Sequence, residues 1–149
     1  MVFRRRLKPQ TWEEEPKTPD CTKVLLAYPR HATPSVPAGI LEAAGYCVSV
    51  CESEDDERCP LVAEGYCAVV DDADLIISAL GVARDRTQRI LSEIDEKHPD
   101  KAVLVFANAG DHDSLHRLPE RHTVVAPPHS RQELLDDVET VLASHQACA

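Results

Sequence analysis

VLLAY at 24–28, LIISAL at 75–80 and AVLVFA at 102–107 are the stretches whose reading decides the fold. Each is a short apolar run, interrupted only by Ser78, and each is closed by punctuation: Pro29 after the first, Gly81 after the second, Asn108-Ala109-Gly110 after the third. Runs of this length, rich in Val, Leu and Ile, read as strands buried on both faces, and such strands occur in parallel sheets covered by helices.

Between these runs the period changes. Residues 84–97 place Thr87, Ile90, Leu91 and Ile94 on one helical face, and Pro99 ends that helix. Ser130 with Glu133 forms a capping box that opens a helix with the stripe Leu134, Leu135, Val138, Val141 and Leu142. Ser35 to Ala44 sets Val36, Ile40, Leu41 and Ala44 on one side, with Gly45 as the stop. YCVSVCE (46–52) alternates as a strand does, and TVVA (123–126) is a short strand halted by Pro127-Pro128. Residues 111–121 are polar, with one helical turn around Leu115 and Leu118. Five strands alternating with four or five helices predict a three-layer α/β domain, flavodoxin-like, with a five-stranded parallel sheet of order 2-1-3-4-5.

The chain has 149 residues, enough for one domain. Residues 1–22, broken by Pro9, Pro16 and Pro19 and carrying Glu13-Glu14-Glu15, read as a disordered tail. The domain is expected over 23–146, with 53–72 as an irregular, cysteine-bearing insert containing Glu54-Asp55-Asp56-Glu57. Net charge is −10, and it is uneven: residues 1–23 carry +2 and residues 24–149 carry −12. An acidic body repels phosphate backbones, so nucleic acid is not an expected partner. No apolar run reaches the length of a membrane span, and charge stands where a leader peptide needs an apolar stretch. A cytoplasmic protein with mostly reduced thiols is the expectation, with no membrane partner.

In doubly wound sheets ligands sit at the carboxyl ends of the strands, near the switch between the first and third. That gathers Tyr28-Pro29-Arg30-His31, Ser78-Ala79-Leu80-Gly81 and Ala107-Asn108-Ala109-Gly110 around one crevice. The first loop, PRHATPSVP, has no glycine to let backbone N–H groups approach a phosphate, and neither a Walker nor a G-x-G-x-x-G pattern occurs. No cofactor is expected. His31 has a suitable intrinsic pKa for a general base but no partner nucleophile, and reads as a loop residue.

ILEAAGYCVSVCES, DADLIISALG, KAVLVFANA and VVAPPHSRQELLDDVETVLA together resemble the landmarks of a response-regulator receiver (CheY-like) domain over about residues 23–144. The resemblance implies a module that takes a phosphoryl group on an aspartate beside a divalent metal. Matched to that pattern, Tyr28 and Pro29 stand for the acidic pair, Ser78 for the phosphoacceptor, Ala107 for the switching hydroxyl residue, and Pro127-Pro128 for Lys-Pro. None supplies a carboxylate for a hard cation or a nucleophile for aspartyl phosphorylation. The resemblance therefore implies a degenerate pseudo-receiver: a non-catalytic signalling or protein-interaction module, not an enzyme, with a protein partner and compatible with a homodimer. Leu61, Val62 and Tyr66, beside the acidic run, are the candidate interaction residues.

A second reading rests on the thiols. Cys47 and Cys51 point to one side of a strand, and Cys59 and Cys67 follow in the insert, so the four are a candidate metal or redox group. Their spacing lacks a C-x2-C knuckle, and Cys47 and Cys51 read more simply as small buried core residues. His112 and His116, with Asp111 and Asp113, have zinc-like spacing on a helix but read as a solvated surface without a third ligand.

Overall fold

A computed structural model describes residues 21–29, 32–53 and 59–148. Residues 1–20 of the expected 1–22 tail, Arg30, His31 and the acidic run at 54–57 lie outside the described residues.

The strands are β1 (Lys23–Pro29), β2 (Cys47–Ser53), β3 (Leu75–Ser78), β4 (Ala102–Phe106) and β5 (Thr123–Val125). They form one parallel sheet of order 2-1-3-4-5, with Leu26 opposite Val50 and Ile77, and Ile77 opposite Leu104. The helices are α1 (Ser35–Ala43), α2 (Pro60–Glu64), α3 (Ala68–Asp72), α4 (Asp85–Lys97) and α5 (Arg131–Cys148), with a 3₁₀ segment at Ala109–Arg117.

Alternation along the strands divides the core in two. Val24, Leu26, Leu75, Ile77 and Leu104 face Leu41 of α1 and Leu134, Val138 and Val141 of α5. Leu25, Ile76, Val103 and Val105 face Leu61 of α2, Val70 of α3 and Leu91 and Ile94 of α4. The described core contains a single aromatic, Phe106; the rest is aliphatic.

Local chemistry sets the element ends. Ser130 Oγ accepts from Glu133 N at 3.1 Å, and the Glu133 carboxylate returns to the N–H of His129 rather than of Ser130. Gly45 ends α1 at φ +101°, a left-handed conformation that favours glycine. Residues 59–72 are more regular than their composition suggested: Gly65, at φ +78°, separates α2 from α3.

Two apolar assignments change. Val36 of α1 is 61% exposed and Ala44 is exposed, because α1 packs on the sheet chiefly through Leu41. Cys47 and Cys51 are exposed rather than core residues: β2 is an edge strand, and the short α3 packs against β1. Cys47 also forms a disulfide with Cys21, and its N–H donates to Thr22 O at 2.9 Å. The expectation of reduced thiols therefore does not hold for this pair, and residues 21–22 are joined to the sheet edge.

Candidate functional site

β1, β3 and β4 end at one edge of the sheet, and the loop from β5 to α5 closes over them. A crevice of about 420 Å³ opens there, lined by Tyr28, Ala79, Phe106, Asn108 and Pro127 and flanked by Ile40 of α1 and Leu134 of α5. Its walls carry hydroxyl, amide, imidazole and guanidinium groups from Tyr28, Asn108, His129, Ser130 and Arg131. No Asp or Glu lines it among the described residues. Burial raises the pKa of the Tyr28 phenol, which therefore stays protonated at neutral pH.

Of the residues matched from sequence, Tyr28 and Pro127 line this crevice. Ser78 and Ala107 do not. Ala107 packs in the core layer of α2, α3 and α4, and Ser78 follows Ile76 on that same side at period two. Ser78 is 2% exposed, and its Oγ accepts a long bond from Leu80 N at 3.4 Å, so the hydroxyl is not offered to solvent. The crevice positions in β3 and β4 are Ala79 and Phe106, one residue later and one earlier than the sequence match placed them. Pro29 closes β1, and its carbonyl accepts from Ala32 N at 3.0 Å.

Leu61, expected at a recognition surface, is 1% exposed and belongs to the core beneath α2. α2 opens with Pro60, and the half-buried Cys59 before it packs against the same core. Val62 is half-buried, whereas Tyr66 is 54% and Val69 46% exposed. Val69, comparably exposed beside Tyr66, carries no signal in the sequence that sets it apart from the neighbouring apolar residues.

The thiols do not assemble. Cys47 is bonded to Cys21, Cys51 is exposed on β2, and Cys59 and Cys67 cap the starts of α2 and α3 while packing against the core. His112 and His116 are exposed on the 3₁₀ segment, where three residues per turn set i and i+4 apart. Among the described residues no three His, Cys, Asp or Glu side chains are placed to hold a metal ion. No described helix is long and apolar enough to cross a membrane.

A scan against protein-family models and a search of curated proteins find no match. Solved structures do resemble the chain. A CheY-like response regulator receiver domain from Methanospirillum hungatei is 14% identical with a TM-score of 0.63, over 87% of this chain and 100% of that one. The signal receiver domain of an HD domain-containing protein from Pseudomonas fluorescens is 16% identical with a TM-score of 0.64, over 85% of this chain and 98% of that one. NtrX from Brucella abortus, solved with ADP, is 18% identical with a TM-score of 0.62, over 85% of this chain but only 27% of its own. The likeness establishes a receiver-like fold.

Proposed function

We propose that this domain is a pseudo-receiver: a non-catalytic signalling or protein-interaction module that is not phosphorylated on aspartate. One observation carries the reading. The crevice at the strand ends, where a receiver would gather its carboxylates, is walled by Tyr28, Ala79, Phe106 and Pro127, without an Asp or Glu among the described lining residues. Phosphoryl transfer to a side chain needs a nucleophile and a means of neutralising the charge on the transferring group. Among the described lining residues there is no carboxylate to serve as the nucleophile of aspartyl phosphorylation or to hold a divalent cation; the polar groups present are hydroxyl, amide, imidazole and guanidinium. A protein partner completes the reading, with exposed Tyr66 and Val69 among the apolar side chains available for contact.

Magnesium tests it. Titrating Mg²⁺ into the protein while following backbone amide signals is expected to leave Tyr28, Ala79 and Phe106 without saturable change. Saturable, site-specific shifts centred on these three residues would show a cation site and overturn the reading.

A further inference from the structure

β2 is an edge strand, and its ladder with β1 fixes the direction of each backbone group. Cys47 N donates to Thr22 O at 2.9 Å, and Cys47 lies opposite Lys23. In a parallel ladder one residue turns both its N–H and its C=O to one neighbour, and the next turns both to the other side. Cys47, Ser49, Cys51 and Ser53 therefore address β1, while Val48, Val50 and Glu52 address the outer edge. No strand lies on that side among the described residues.

Exposed sheet edges recruit other strands, and they are normally guarded by lysine, proline, a bulge or a covering element. The strand Cys47–Ser53, CVSVCES, holds no Lys and no Pro and pairs with β1 in unbroken register. Its one charged residue is Glu52. Val50, at its centre, is 43% exposed.

The strand is complementary to itself. An isologous two-fold contact requires that where residue i meets j, j also meets i. With the axis at Val50 and the strands antiparallel, Val50 meets Val50 of the second copy, Val48 meets Glu52, and Ser49 meets Cys51. Every outward residue then meets an outward residue. The Val50 pair and both Val48–Glu52 pairs become hydrogen-bonded pairs, each exchanging N–H···O=C bonds in both directions. The same register keeps like charges apart, because Glu52 stands opposite Val48 and not opposite its own counterpart. A shift by one residue sets outward groups against inward ones, and a shift by two leaves part of the strand unpaired.

We propose that β2 is a homodimer interface: two copies of this chain join edge to edge through Cys47–Ser53, antiparallel about a two-fold axis at Val50, to form one sheet continuous across both. The contact stands or falls independently of the pseudo-receiver reading.

The test is analytical ultracentrifugation of the full chain over a concentration series, beside hydrogen exchange of its backbone amides. Moderate salt screens the net charge of −10 on each copy. A dimer is expected whose population rises with concentration, with protection of the Val48, Val50 and Glu52 amides rising in step. Val50→Lys and Val50→Glu, at an exposed position, are expected to fold. Each sets like charges opposite one another and is expected to lose the dimer, whereas an equimolar mixture of the two is expected to dimerise again. A chain that stays monomeric at its highest soluble concentration would overturn the proposal. So would a dimer that leaves these amides unprotected or survives in both single variants, or a mixture that stays monomeric. Protection that does not vary with concentration would put another segment of the same chain on the edge, and would also overturn it. Should a variant unfold, the exchange of the unaltered chain still decides.

Discussion

Ser78 and Ala79 are adjacent in the chain and serve opposite sides of the sheet. Ala79 lines the strand-end crevice with Tyr28 and Phe106, while Ser78 is buried and turned toward the layer of α2, α3 and α4. Introducing a nucleophile at these two positions therefore has different consequences. Ala79→Asp places a carboxylate on the crevice wall and is expected to fold. Ser78→Asp buries a carboxylate without a cationic partner and is expected to cost several kcal/mol, comparable with the stability of the whole domain. Chemical denaturation of the two variants checks the difference; equal stability would contradict the assignment of faces.

Leu61 and Tyr66 separate packing from recognition. Leu61→Ala removes a fully buried side chain and is expected to lower stability by about 3 kcal/mol. Tyr66→Ala, at an exposed position, is expected to stay within about 0.5 kcal/mol of the parent. Thermal melts of both variants distinguish these outcomes.

The Cys21–Cys47 disulfide closes a loop of sequence separation 26, which constrains the unfolded chain. Reduction by dithiothreitol, or Cys47→Ser, is expected to lower stability by about 3 kcal/mol on the chain-entropy argument. A melting temperature that is the same with and without reductant would contradict a contribution from this bond.

His122 gives the stability a pH dependence. Its folded pKa lies below its ordinary value because burial penalises the charged ring. The unfolded chain therefore binds the proton more readily. The neutral-ring stability is present above about pH 6.5 and is lost as the pH falls from there toward the folded pKa. Melting temperatures between neutral and mildly acidic pH are expected to fall, and His122→Asn is expected to flatten that slope. An unchanged slope in the variant would assign the dependence to other groups.

The fold was legible where apolar runs meet hard stops. VLLAY with Pro29, AVLVFA with Asn108, and the Ser130–Glu133 pair each specified an element and one of its ends. The site was less legible, because a one-residue slip at period two moves a side chain across the sheet. Ser78 drew attention as a polar residue in an apolar strand, yet its parity with Ile76 settles its side only once the pairing register is known. Leu61 offered no sequence signal that distinguishes an inward anchor from an outward one in so short a helix. The Cys21–Cys47 pair depends on β1 and β2 being neighbours, with Lys23 opposite Cys47.

The pseudo-receiver reading is tested most directly by incubating the purified protein with a small acyl phosphate donor and Mg²⁺ and measuring its intact mass, with acid and hydroxylamine treatment of any adduct. The predicted result is no acid-labile, hydroxylamine-sensitive phosphoryl adduct, because no Asp or Glu lines the strand-end crevice among the described residues. A hydroxylamine-sensitive aspartyl phosphate on any residue of the domain would contradict it.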